Sequence, residues 1–219
     1  MQITKEVWQV GGDSLTAPED AAIYLICFDE QAALIDAGTG KGHEKLISNI
    51  EKCGVNASQI EYLFITHCHY DHTGGAEKVR EEFGCKIVVH ELDAIYLEKG
   101  DSDVTAARWY GKVLEPLKVD HKITSFEGSF LIGDRKMKSF HTPGHSPGSV
   151  VYLVESEDKK ILFGQDVHGP LDPSILSNQE DYIKSLKFLL SLKIDILCEG
   201  HFGIFEGERN VQSFIKSFL

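Results

Sequence analysis

The chain has 219 residues, 42% hydrophobic and 26% charged, an ordinary globular composition with enough apolar material for a sizeable core. Its 22 Lys and Arg against 34 Asp and Glu leave a net charge of −12, so no basic field gathers phosphates, and nucleic acid is excluded as an expected partner. Ten histidines outnumber the prolines (6), tyrosines (7) and tryptophans (2), and histidine is both a common metal ligand and the proton carrier of neutral pH.

The five cysteines (Cys27, Cys53, Cys68, Cys85 and Cys198) are odd in number, scattered, and never in C-x-x-C spacing, so they read as free or buried thiols of a reducing compartment. The opening MQITKEVWQVGGD lacks a basic segment followed by an apolar one, and no apolar run reaches the roughly 18 residues of a membrane span. The expectation is a cytoplasmic protein with no membrane contact.

In chain order, ITKEVWQV, AAIYLICF and AALIDAG predict a meander of strands separated by turn residues. KGHEKLISNIEKCG follows, with Leu46, Ile47, Ile50 and Cys53 at helical spacing and Gly54 as a stop. IEYLFIT (60–66) is a buried-strand run that ends in a histidine-rich segment; Gly74 and Gly75 open a helical stretch to Phe83, and KIVVH (86–90) is another buried strand. From Glu91 to His121 the pattern is helical but ragged, an excursion over the sheet edge. FLIGD, KMKSFHT, SVVYLVES and KKILFGQ then predict four more strands.

The tail predicts a helix on the stripe Tyr182, Ile183, Leu186 and Leu190, with Asn178 as its cap, then a strand at IDILCEG (194–200). A second helix follows on Val211, Phe214, Ile215 and Phe218. No linker divides the chain, so residues 1–219 are expected to form a single domain of α/β class in which two sheets pack together with helices outside.

The segment from Thr66 to His72 holds three His and one Asp within six residues. Chance would place H-x-H-x-D-H in this composition on the order of one time in a thousand. In an extended stretch, residues two apart share a side, so His67 and His69 can grip one ion while Asp71 and His72, displaced onto the next turn, face a neighbouring site. Cys68 then points the other way, as a packed small hydrophobe. His145 lies in the tight loop of HTPGHSPGS (141–149), Asp166 follows ILFGQ, and His201 follows DILCEG, each a ligand-type residue released near the end of a core strand.

Taken together, LIDAG, HCHYDHTGG, HTPGHSPGS, FGQD and EGHFG resemble, in identity and order, the motifs of the metallo-β-lactamase-fold hydrolases. The resemblance implies a four-layer αβ/βα sandwich of two mixed β-sheets with helices on the outer faces. It puts His67, His69 and His145 on a first metal ion and Asp71, His72 and His201 on a second. Asp166 bridges both and holds the hydroxide between them, and Asp36 braces the metal loop by hydrogen bonding. Asp71 is also a candidate proton relay. The implied cofactors are two divalent ions, zinc foremost, with iron also compatible with such a nitrogen and oxygen set.

Exported zinc β-lactamases commonly place a Cys in the second site, where this chain offers Asp166 and His72. The seven-residue set most resembles glyoxalase II and the small acyl-homoserine lactonases, although only 18 residues follow His201, short of the helical region with which glyoxalase II binds glutathione. The expected reaction is hydrolysis of an ester, thioester or lactone of a small acyl substrate. The alternative is an iron-dependent oxidoreductase of the same fold, akin to di-iron O2/NO reductases, which carry Glu at the position of His69, or to persulfide dioxygenases with one iron. A binding module with a vestigial site would require lost ligands, and none of the seven is lost.

Of the remaining residues, His141 and His168 flank matched positions as candidate supports or pocket neighbours, His90 ends a strand, and His43 and His121 read as solvated. Tyr96, Trp109 and Tyr110 are candidates to roof the site, or else to pin the excursion to the sheet, and HGPLDPSILSN (168–178) is a second candidate wall.

Overall fold

The computed structural model describes residues 1–164 and 166–219. Four strands, β1 (Gln2–Thr4), β2 (Val7–Gly11), β3 (Ile23–Phe28) and β4 (Gln31–Ile35), form an antiparallel meander. Where a single opening strand was expected, Thr4 pairs with Val7 across a turn, so ITKEVWQV is a tight hairpin. After α1 (His43–Lys52), the parallel strands β5 (Ile60–Phe64), β6 (Lys86–His90) and β7 (His121–Ile123) complete a seven-stranded sheet in chain order. Between them lie α2 (Tyr70–Thr73), α3 (Ala76–Phe83) and α4 (Glu91–Lys99).

The second half runs through β8 (Glu127–Ile132), β9 (Arg135–His141), β10 (Val150–Ser156) and β11 (Lys159–Phe163), then α5 (Gln179–Ser191), β12 (Ile196–Cys198), β13 (Ile204–Glu206) and α6 (Glu208–Lys216). Its six-stranded sheet has the order β13-β12-β11-β10-β9-β8, with only β11 and β12 parallel. Gln165, the last residue of the expected KKILFGQ run, lies outside the described residues. The three-residue strands β7 and β13 were not foreseen.

The period-two alternation of the strands divides the apolar side chains among layers. In β3, Ile23 and Leu25 face one way, into a layer with Leu46 and Ile50 of α1, Val79 of α3 and Leu97 of α4. Tyr24, Ile26 and Phe28 face the other way, into a central layer shared with Phe64 of β5, Tyr152 of β10 and Phe163 of β11. Leu162 and Val151 point out of the second sheet onto Leu186 and Leu189 of α5 and Val211 and Ile215 of α6. The result is the helix-sheet-sheet-helix sandwich that the sequence predicts, with each fully buried Leu or Ile contributing about 1.5–3 kcal/mol.

Local signals set the helix boundaries. Leu46 and Ile50 bury one stripe of α1, and the chain leaves it through Gly54 at φ 80°. The Asn178 side chain accepts from the Asp181 amide at 3.0 Å and caps α5, whose first turn carries Glu180 and Asp181. Among the described residues, no helix is long and apolar enough to cross a membrane.

Candidate metal centre

Strand direction brings the site together. β4 and β5 run parallel, as do β11 and β12, so the segments after their carboxyl ends, carrying Asp36, His67, Asp166 and His201, emerge on shared edges. The sheets are joined there by hydrogen bonds from the Val150 amide to the Thr66 carbonyl at 2.8 Å, from the Tyr152 hydroxyl to the Ile65 carbonyl at 2.8 Å, and from the Tyr24 hydroxyl to the Glu199 carbonyl at 2.8 Å.

All seven expected residues meet in this seam, in two groups. His67, His69, His145 and Asp166 form one, and Asp71, His72 and His201 the other. Asp166 lies between them: its Oδ2 is 3.2 Å from His145 Nε2 and 3.7 Å from His67 Nε2, while its Oδ1 is 3.2 Å from His72 Nε2 and 3.3 Å from His201 Nε2. Asp71 Oδ2 stands 3.2 Å from His201 Nε2 and 3.7 Å from His72 Nε2.

The Nε2 atoms of His67, His69, His72 and His145, together with Asp166 Oδ1, are buried without a hydrogen-bond partner. Leaving one such atom unpaired costs about 1–3 kcal/mol, and here five converge. Their chemistry, imidazole nitrogens and carboxylate oxygens aimed at common points, fits a divalent cation.

The supporting hydrogen bonds set the ring tautomers. His72 Nδ1 meets Asp36 Oδ2 at 2.7 Å, and His145 Nδ1 donates to the Pro170 carbonyl at 2.8 Å, so both rings present Nε2 to the site. Thr66 Oγ1 donates to Asp36 Oδ2 at 2.7 Å and therefore accepts from His67 Nδ1 at 3.1 Å. Asp36 thus orients a ring of each group, His72 directly and His67 through Thr66. Burial is the main force holding His67 and His69 well below the ordinary imidazole value, in the neutral form that a metal requires, and neighbouring rings add to it. For His72 and His201 burial acts in the same direction, but the carboxylates of Asp166 and Asp71 outweigh it, lifting His72 well above that value and His201 to about 10.

Two buried carboxylates that brace the segments carrying the donors escaped the sequence reading. Asp93, in the first turn of α4, accepts from the Cys68 amide at 2.8 Å, the Ser146 hydroxyl at 2.6 Å and the Gly148 amide at 2.6 Å, clamping the His67–His72 segment to the His145 loop. Gly148 permits the approach, since a Cβ there would lie 2.6 Å from the Asp93 amide nitrogen. Glu199, fully buried, accepts from His168 Nδ1 at 2.7 Å, the His201 amide at 2.8 Å and the Phe202 amide at 3.0 Å. A signal for Asp93 was present: LDAIYL sets a carboxylate between apolar residues of a helix, where only a bonded one is tolerated.

The other candidates separate cleanly. Trp109, Tyr110 and His168 line the cleft over the two groups, with Ala106, Pro170 and Ile175, around about 210 Å³. Tyr96 packs partly buried against the core of the first sheet, the second of the two places open to it, where it pins the excursion to the sheet. His141 stacks on His90 at 3.8 Å between centroids and donates from Nε2 to the Pro147 carbonyl, so it supports the His145 loop. His121 is exposed as expected, whereas His43 is half-buried beside Glu82. Cys68 is fully buried in the core of the first sheet, and all five cysteines are free.

The chain matches the family described as the metallo-beta-lactamase superfamily over residues 17–201. It is 33% identical to the hydroxyacylglutathione hydrolase GloC of Haemophilus influenzae, covering 88% of this chain and 92% of that one. It is 29% identical to the acyl-coenzyme A thioesterase MBLAC2 of Gallus gallus, covering 86% and 75%. The solved structure of BJP-1, a subclass B3 metallo-beta-lactamase of Bradyrhizobium japonicum, shares the fold, with a TM-score of 0.81 at 24% identity over 100% of this chain and 89% of that one. On the strength of the family match, the relatives and the clustered His and Asp side chains, the chain belongs to the metallo-beta-lactamase superfamily and is a metal-dependent hydrolase.

Proposed function

We propose that this chain is a dinuclear hydrolase, with zinc as its metal, that cleaves an ester, thioester or lactone of a small acyl compound. The observation that carries this reading is Asp166, whose two oxygens face two separate sets of donors in a pocket of otherwise unpaired buried atoms. His67, His69, His145 and Asp166 Oδ2 would hold one ion, and Asp71, His72, His201 and Asp166 Oδ1 the other. When bound, the ions would supply Lewis acidity, ionising a water near neutral pH and polarising an acyl carbonyl.

The chain's own residues do the rest. Asp36 and the Pro170 carbonyl hold His72 and His145 with Nε2 facing inward, so no reorientation is required during the reaction. Asp71 is the carboxylate placed at the cleft to receive and pass on a proton. Trp109, Pro170 and Ile175 give the cleft an apolar side that excludes water around the acyl group. At about 210 Å³ the cleft lies below the roughly 300–1,000 Å³ of drug-sized sites, which suits a short acyl chain. Cys68 is no rival nucleophile, because burial first, and the Asp93 charge second, push its thiol well above the ordinary value.

The names of the two relatives, a thioesterase and a hydroxyacylglutathione hydrolase, support acyl transfer to water as the reaction class. The test is metal analysis of the purified protein, followed by thioester and lactone hydrolysis with an oxygen electrode in the same cell. Two zinc per chain, hydrolysis and no oxygen uptake are expected. Redox-active iron with turnover of O2 and no hydrolysis would overturn the reading.

A further inference from the structure

A second cavity, of about 580 Å³, adjoins the cleft and shares Tyr110 and His201 with it as a common wall. The two differ in character. The smaller has an apolar side formed by Ala106, Trp109, Pro170 and Ile175. The larger is lined by Gln9, Asp13, Ser14, Glu19 and Asp20 together with Gly12, Gly200 and Gly203, and no Lys or Arg lines it. Asp20 is spent on Thr16 and Thr39, and Glu19 pairs with Lys41 at 2.5 Å, but Asp13 is exposed and has no ion-pair partner among the described residues.

Resting on the acyl-hydrolase reading, we propose that the larger cavity is the leaving-group subsite and that it selects a cationic or neutral polar thiol or alcohol over an anionic one. The scissile carbonyl has to lie at the two donor groups, so a short apolar acyl part occupies the Trp109 side and the departing part crosses Tyr110 and His201 into the larger cavity. There it meets carboxylates and an aromatic ring, surroundings that favour an ammonium and repel carboxylate or phosphate. The net charge of −12 adds a long-range penalty for polyanions such as coenzyme A.

The test compares four acetyl thioesters on the metal-replete protein: acetylthiocholine (cationic), S-acetyl-N-acetylcysteamine (neutral), S-acetyl-3-mercaptopropionate (anionic) and acetyl-CoA (polyanionic). In each, water gives its hydroxyl to the acyl carbon and its proton to the departing sulfur. We expect kcat/KM to fall in that order. Asp13→Lys should shift the ratio of the cationic to the anionic substrate about fivefold to tenfold toward the anion, and Asp13→Asn about half as far on a logarithmic scale. Raising salt should slow the cationic substrate and leave the neutral one unchanged. Faster turnover of the anionic members, or a ratio indifferent to both Asp13 variants and to salt, would overturn the subsite assignment while leaving the hydrolase intact. No turnover of any member, nor of a lactone or oxygen ester, would instead overturn the hydrolase reading itself.

Discussion

Asp93→Ala separates support of the site from catalysis, because Asp93 touches neither donor group yet ties together the two segments that carry them. The substitution strands the buried amides of Cys68 and Gly148, whereas the Ser146 hydroxyl keeps a partner in Ser149 Oγ at 2.8 Å. At about 1–3 kcal/mol for each stranded donor, the loss is about 2–6 kcal/mol, a large part of the 5–15 kcal/mol typical of a folded chain. Burial pushes the Asp93 carboxyl up, so its charge is itself costly, and the hydrogen bonds from Ser146, Cys68 and Gly148 offset that cost. Asp93→Asn removes the charge and strands fewer donors, and should therefore cost less than Asp93→Ala. Urea unfolding followed by circular dichroism measures both, and zinc titration should show affinity weakened about 10- to 100-fold in the Ala variant. A loss under about 0.5 kcal/mol with unchanged zinc affinity would refute the clamp.

Burial, with a smaller contribution from His141, lowers the His90 imidazole from 6.5 to about 4. Because the folded value is depressed, the associated stability is present above about pH 6.5 and is lost as pH falls toward 4. After screening it amounts to about 1–2 kcal/mol, and a His90→Gln variant should show a flatter stability profile than the parent across that window. Trp109→Ala should raise KM about threefold to tenfold for a butyryl thioester and leave unfolding within about 0.5 kcal/mol, since the ring is 55% exposed. Tyr96→Ala should do the reverse, costing about 1–2 kcal/mol with KM unchanged; a KM effect from Tyr96 would return it to the cleft.

Much of this fold is local and therefore legible. The apolar runs of β3, β5 and β11 mark buried strands, the helical stripes of α1, α5 and α6 report which faces are buried, and the ligand-type residues follow the strand ends that deliver them. What escaped depends on distant partners. The strands β7 and β13 have three residues each, too few to show a period, and exist because β6 and β12 offer edges to pair with. Tyr96, Trp109 and Tyr110 look alike in a ragged segment, and only packing separates the first from the other two. Glu199 shows the same limit: beside Cys198 it reads as the end of a strand, and although its amide partners at 201 and 202 are local, its partner His168 becomes visible only once β11 and β12 lie side by side.

The seven donors come from both sheets. His67, His69, Asp71 and His72 hang from the first, and His145, Asp166 and His201 from the second. A cation gripped between them would act as a clasp, so its binding free energy and the docking of the two sheets become a single linked quantity. Loosening the layer around Phe64 and Tyr152, remote from any substrate, would then register as weaker metal retention, and metal occupancy becomes a gauge of how firmly the two halves of the sandwich are closed.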